Sequence, residues 1–292
     1  MERRQHKRNL GAALLVTASF FLVELVGGLL AGSLALLADA THMFADVGAL
    51  ILAYAAMSFA ERPASRRYTF GLYRAEILAA FVNAQILLLV SAGIFYEAYH
   101  RFRAPEEIDT GLMLLVAAAG LVANLLSMRF LHGHHHENLN LKAAYVEVFT
   151  DLLGSVAVII GALIIRPTGW LWIDPLLSAL IAVVIVPRAV ALLRQTGHIL
   201  LEGTPPDVDV PRLRSQLLEI PGVNEIHDLH FWTLTSGLHS ASVHVCASPD
   251  TSRGQVLEEV QKVLRLEAAI DHATVQIELG EGGDCEMARG HD

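Results

Sequence analysis

Six apolar stretches, each close to the length of helix that crosses a bilayer, occupy residues 10–195 and constrain this chain more than any other feature. Spanning the hydrocarbon core takes about 20 mostly apolar helical residues. The stretches at 10–31, 34–59, 76–99, 110–131, 142–165 and 173–195 meet that length. In lipid such a segment can satisfy its backbone only as a helix. The expected architecture is therefore an α-helical membrane protein with six transmembrane helices. Composition agrees, because 53% hydrophobic with 17% charged is too apolar for a wholly soluble chain of 292 residues. The start, MERRQHKRNL, is basic, but the apolar run after it is of full helix length and lacks a signal-peptidase ending, so it reads as a first span.

An even number of spans puts both ends on one side of the membrane. Arg3, Arg4, Lys7, Arg8, Arg62, Arg66, Arg67, Arg74, Lys142 and Arg194 flank the helices on that side, against Arg101, Arg103 and Arg166 on the other. The positive-inside rule then predicts cytosolic termini. The net charge of −9 gathers in the C-terminal part, and no basic stripe points to a nucleic-acid partner. Both cysteines, Cys246 and Cys285, fall there too; two alone make no disulfide framework, which fits a reducing compartment.

The composition turns ordinary at about residue 204, which divides the chain into a membrane domain (1–203) and a C-terminal domain (204–292). After the turn Gly203-Thr204-Pro205-Pro206, VDVPRLRSQLLEI has helical spacing. VNEIHDLHFWTLT and HSASVHVCA read as a hairpin, SRGQVLEEVQKVLRLE as a helix and ATVQIEL as a strand. The order α-β-β-α-β predicts a small cytosolic α+β domain. In the loop 132–141, residues 132–136 read HGHHH, a histidine tract that either collects metal transiently or is a solvated polar loop.

The chemistry lies in ionisable residues inside the apolar stretches, each costing about 2.5–3.5 kcal/mol on insertion scales. Helix 2 holds Asp39, His42 and Asp46; helix 5 holds Glu147 and Asp151. His42 with Asp46, and Glu147 with Asp151, are i,i+4 pairs, which share a helix face one turn apart. Turned toward each other, the faces offer one imidazole and three carboxylates, a four-ligand set for zinc. Polar glue between helices is the competing reading. It seldom uses three carboxylates, which repel unless protons or a cation neutralise them. Ligands must lose protons to bind metal, so metal and protons compete for one site. An unperturbed imidazole titrates near pH ~6.5, which makes His42 the expected proton-coupling residue. Asp39 is placed in the pathway or behind the ligands. Glu24, Asn83, Gln85, Glu97 and Asn124 are read as interhelical or interfacial hydrogen bonders.

The motifs GSLALLADATHMFAD (32–46), YTFGLYRAEILAAFVNA (68–84), YVEVFTDLLGS (145–155), LLEGTPPDVD (200–209) and PGVNEIHDLHFWTLTSGLHSASVHV (221–245) resemble the cation diffusion facilitator family over nearly the whole chain. They are most similar to its bacterial cobalt, zinc and cadmium efflux branch. The resemblance implies a homodimer in the cytoplasmic (inner) membrane, with a metallochaperone-like cytosolic domain. It further implies Zn²⁺/H⁺ antiport by alternating access, with zinc as substrate and as a regulatory ligand. Neither enzymatic activity nor an organic cofactor is expected. His42, Asp46 and Asp151 match the family's transport ligands, while Glu147 stands where His or Asp is usual. A carboxylate there is a harder ligand than imidazole, so tolerance of cadmium, cobalt or manganese is expected. Ser65, Tyr68 and Leu72 match a further metal site of some members and are poor ligands, so no metal is expected there. Arg74 and Glu202 match an interface charge pair.

In the cytosolic domain, a hairpin that pairs Leu234 with His239 would set Leu229 opposite His244 and His227 opposite Cys246. His227, His244 and Cys246 would then share one face, with His230 and His239 on the other. Glu278 matches a position often occupied by His, and Asp284 and Cys285 follow it. His227, His244, Glu278 and Cys285 are the candidate ligands of a cytosolic site; a sheet face with solvated histidines is the alternative. Two other classes remain, a membrane-anchored metal sensor and an intramembrane metalloenzyme. The zinc-protease signature H-E-x-x-H is absent, since His136-Glu137 meets Asn140.

Overall fold

The computed structural model describes residues 2–60, 65–132, 139–235, 237–270 and 272–279, with the side chains at 2–13, 46, 49, 50, 52–54, 56–60, 127, 129–132, 139–147 and 279 left aside. Six long helices come first: α1 (Glu2–Ala31), α2 (Leu34–Ala60), α3 (Tyr73–Arg103), α4 (Thr110–His132), α5 (Leu139–Thr168) and α6 (Ile173–Leu200). Over the described residues α1, α3, α5 and α6 carry windows long and apolar enough to cross a membrane, and α2 and α4 carry shorter apolar runs. Leu15, Leu89 and Leu115 are 71%, 73% and 66% exposed, which only a lipid surround makes favourable for so many large apolar groups.

The chain forms two compact units, Met1–Arg62 with Ala79–Leu193, and Pro63–Leu78 with Arg194–Asp292. In the first, α1 packs on α2 and α4, and α5 packs on α4 and α2. Its core is Ala31, Ala35, Leu36, Met113, Ala117 and Val158, small residues alternating with large ones. A Cβ on Gly27 would meet Val116 at 2.5 Å, so α1 and α4 approach as closely as they do because Gly27 has none. Leu34 and Ala38 of α2 meet Ile94 and Ala98 of α3 and Ala182 of α6.

Gly32, at φ +66°, ends α1, and the Ser33 N–H returns to the Gly28 carbonyl at 3.1 Å. The first N–H groups of α2 are then capped from far along the chain. The fully buried Asp174 carboxylate accepts from Ser33 Oγ (2.6 Å), Leu34 N (2.8 Å) and Ala35 N (3.2 Å). An anion at a helix N-terminus satisfies orphan donors and complements the helix dipole. Asp174 and Arg101, 4.0 Å apart, fix where α2 begins and hence the height of Asp39 and His42 on it.

The second unit holds α7 (Val210–Leu218), β1 (Val223–Thr235), β2 (Leu238–Ala247), α8 (Arg253–Ala268) and β3 (His272–Leu279). The element order is the α-β-β-α-β read from the sequence. β2 is central, antiparallel to β1 and parallel to β3. Asp209 caps α7 by accepting from the Arg212 N–H at 3.1 Å. Alternation in β2 sends Ala241, Val243, Val245 and Ala247 into the core. There they meet Val256, Val260, Leu264 and Ala268, spaced by four along α8. Truncating Leu264 to Ala would cost about 2–5 kcal/mol.

The hairpin register differs from the expected one. Thr235 pairs with Leu238, but Thr233 pairs with His239, His230 with Ser242, His227 with His244 and Glu225 with Cys246. Three irregularities cause this, each giving β1 one residue more than β2. At the middle one Asp228 takes φ +48°, a conformation that short polar side chains tolerate better than most. Each one-residue slip inverts the face. Between the first and second bulges His230 is moved to the face of Ser242 and His244, contrary to expectation. After two bulges the inversion cancels, so His227 keeps its expected face with a different partner.

Candidate functional site

In the first unit, His42 of α2 and Asp151 of α5 come together, with His42 Nε2 3.0 Å from Asp151 Oδ1. The side chains are 12% and 21% exposed, so both are largely withdrawn from solvent. Asp151 Oδ1 has no hydrogen-bond partner among the described residues despite that proximity. A buried carboxylate oxygen left unsatisfied is costly, and one beside an imidazole nitrogen is poised for a cation. A cavity of about 240 Å³ opens here, lined by Asp39, His42, Thr150, Asp151, Gly154 and Arg188. Asp39 is buried, and a Cβ on Gly154 would stand 3.1 Å from its Oδ1. Gly154 therefore makes room for that carboxylate. Asp46 and Glu147 fall within α2 and α5, with side chains outside the described residues.

Arg188 of α6 was missed by sequence reasoning. Its Nη1 donates to His42 Nε2 at 3.2 Å. The available signal was an arginine well inside the sixth apolar stretch, directly after Pro187 and a turn and a half before the flanking Arg194. The polar residues expected between helices behave variously. Asn124 Nδ2 donates to Ser155 Oγ at 3.4 Å, and Glu97 pairs with Arg101 at 3.0 Å. Asn83 is buried against Gly48, and Glu24 is buried beside Gly120 with Oε2 unpartnered among the described residues.

In the second unit, His227, His244 and Glu278 converge from three strands, with ligand atoms all within 4.8 Å of one another. His244 Nδ1 is 3.1 Å from Glu278 Oε1 and His227 Nε2 is 3.5 Å from Glu278 Oε2. The two imidazoles meet edge-on at 5.2 Å. Both ring nitrogens of His227 and Nδ1 of His244 lack hydrogen-bond partners among the described residues. Buried imidazole nitrogens facing a carboxylate without hydrogen bonds suit a metal better than a neutral core. Asp228, whose Oδ2 lies 3.9 Å from His244 Nδ1, was also missed. Its signal was adjacency to His227, but only the bulge turns it toward the cluster. Cys246 lies on the same face as His244 by alternation, opposite Glu278 in the register, and it is disulfide-bonded, contrary to the expectation of free thiols. Cys285, Asp284 and the tract at 133–136 lie outside the described residues.

Two further expectations concern the same unit. Arg74 Nη2 meets Glu202 Oε1 at 3.0 Å. Ser65 and Tyr68 close a turn in which the Ser65 hydroxyl accepts the Tyr68 N–H at 3.1 Å. Thr235 Oγ1 donates to Glu76 at 2.6 Å. His239 lies near Thr233 and Asp207, away from the cluster.

A helical membrane unit with an internal imidazole–carboxylate pair, joined to a small α/β domain with a second such cluster, defines a metal-handling membrane protein. Residues 10–201 match the cation efflux transmembrane domain, and residues 205–279 match the cation efflux protein cytoplasmic domain. The chain belongs to the cation efflux family. It is a membrane transporter that exports metal cations, which removes the metalloenzyme and sensor readings. It is 46% identical to the metal cation efflux system protein CzcD of Cupriavidus metallidurans, over 97% of this chain and 89% of that one. It is 44% identical to the zinc transporter ZitB of Escherichia coli, over 94% and 89%. Against the cadmium, cobalt and zinc/H⁺-K⁺ antiporter of Bacillus velezensis it is 36% identical, over 94% and 88%.

Proposed function

We propose that the protein exports divalent transition metals from the cytosol, zinc first, in exchange for protons. His42, Asp46, Glu147 and Asp151 are the transport ligands. The observation that carries this reading is the approach, between α2 and α5, of His42 Nε2 to Asp151 Oδ1, an oxygen with no hydrogen bond among the described residues. Asp46 and Glu147, one turn away on the same helices, complete a set of one nitrogen and three carboxylates. His42 is the proton-coupling residue, because metal can bind only to ligands that have lost their protons. The names of the relatives, a zinc transporter and an antiporter of cadmium, cobalt and zinc, support the same substrate class. Glu147, as a hard oxygen ligand, extends it beyond zinc.

The protein is a homodimer of the cytoplasmic membrane with both termini in the cytosol, as the distribution of arginine and lysine supports. The domain from 204 onward carries a regulatory zinc site formed by His227, His244 and Glu278. The Arg74–Glu202 pair belongs to the interface, and Asp39 lies in the ion pathway.

The test is zinc-driven proton flux in proteoliposomes, read with a pH-sensitive dye inside the vesicles. Zinc should drive protons the opposite way, and lowering the pH on the zinc-loading side should weaken apparent zinc affinity, since protons compete for the ligands. Flux in His42→Ala equal to wild type would overturn the assignment.

A further inference from the structure

Arg188 lies inside the sixth apolar stretch, where an arginine costs about 2.5–3.5 kcal/mol on insertion scales and needs a partner. It finds one in the cavity that holds His42 and Asp151. A guanidinium has five N–H donors and no acceptor. Because Arg188 Nη1 donates to His42 Nε2 at 3.2 Å, that nitrogen presents its lone pair, the electron pair a metal would take. The same nitrogen stands 3.0 Å from Asp151 Oδ1, itself without a hydrogen bond among the described residues. Two electron-rich ligand atoms this close repel unless a cation stands against them. Here a third helix supplies the cation.

We infer that Arg188 is a tethered counter-cation of the transport site. It holds the His42 lone pair that an entering divalent metal must take, so metal entry displaces the guanidinium and its return completes metal exit. The inference rests on the reading of His42 and Asp151 as transport ligands. A site with one imidazole and three carboxylates would otherwise hold zinc tightly, which is a liability in a carrier that must let go. Arginine suits the task because it stays charged in a protein, whereas a buried lysine readily gives up its proton. Its reach from α6 also makes site occupancy depend on a helix other than the two that bear the ligands.

The test compares zinc uptake against zinc concentration in proteoliposomes of the full chain for wild type, Arg188→Gln, Arg188→Lys and His42→Ala. Arg188→Gln should lower KM for zinc roughly tenfold, the scale of one charge-assisted contact, and lower kcat by a similar factor. The ratio kcat/KM then stays near wild type. Arg188→Lys, with the charge kept and the fork lost, should fall between the two. A KM for Arg188→Gln that is unchanged or raised, whatever the rate does, overturns the inference and leaves Arg188 a packing residue. If Arg188→Gln does not fold, equilibrium zinc binding to Arg188→Lys decides: tighter binding supports the inference, and equal or weaker binding overturns it. His42→Ala separates the two layers of argument. If it transports like wild type, the ligand assignment fails. If it is inactive while Arg188→Gln keeps the wild-type KM, only the counter-cation fails.

Discussion

His42 meets Asp151 between two helices, while His227 and His244 meet Glu278 across three strands. Both clusters join imidazole to carboxylate, but they are held differently. In the helical pair each ligand sits on its own span, and a guanidinium from a third span stands beside them. In the sheet, cross-strand pairing fixes the ligands, and among the described residues the charged groups beside the two imidazoles are the carboxylates of Asp228 and Glu278. Under the functions proposed for them, the contrast is between a site that trades one cation for another and a site built to keep one. It is broken most directly at His42. Even residues that merely orient metal ligands change affinity or activity by about 10–100-fold, so His42→Ala should reduce zinc transport at least about 100-fold. Initial rates of uptake in proteoliposomes check this, and a loss under tenfold would put His42 outside the site.

The second way to break the contrast is to remove a ligand from the sheet. His244→Ala in the full-length chain should eliminate one class of bound zinc, or weaken it about 10–100-fold, in equilibrium dialysis. Transport at saturating zinc should fall much less than in His42→Ala. Equal losses in the two variants would mean that the C-terminal cluster is part of the transport path rather than a resident site.

The two regions also differ in how far their sequence revealed them. The helical pair was legible because 3.6-residue periodicity is rigid: His42 and Asp151 fall on faces that spacing alone specifies, and an ionisable group in lipid needs a reason. Arg188 was not legible, since nothing in helix periodicity says which face of α6 meets α2. In the sheet the strands and the core alternation were plain, yet the register was not. β1 carries three bulges, and only the turn at Leu238 follows from local sequence. His227 kept its expected face because two slips cancel; His230, between them, did not. Asp228 entered the cluster through its left-handed backbone, which no period-two pattern anticipates. Likewise Asp174 lies about 140 residues from the helix start it caps.

Selectivity sharpens the comparison further. Histidines dominate the C-terminal cluster, whereas Glu147 would make the transport site oxygen-rich. Replacing Glu147 with His softens that site, and the ratio of zinc to manganese transport should rise by about tenfold, an effect of ~1.4 kcal/mol. Competition assays with both metals on one proteoliposome preparation measure the ratio directly. An unchanged ratio would show that cavity shape, not ligand type, selects the metal.

The smallest effect is expected at Arg74 and Glu202. Their side chains are 37% and 64% exposed, and a pair in that setting contributes about 0–1 kcal/mol. Glu202 also takes φ +59°, which costs a non-glycine residue roughly 1–2 kcal/mol. The contact does not offset the strain it accompanies, so global stability is a poor reason for it. Its position offers a better one: Arg74 opens α3, Glu202 follows α6, and nearby Glu76 accepts from Thr235 of β1. The pair joins the first turn of α3 to the residues that follow α6. Arg74→Gln should therefore shift Tm of the purified protein by no more than about 2–4 °C. The same substitution should raise amide hydrogen exchange at residues 70–76 and 200–204 well above that in the core strand β2. Unchanged exchange there would reduce the pair to an ordinary surface contact.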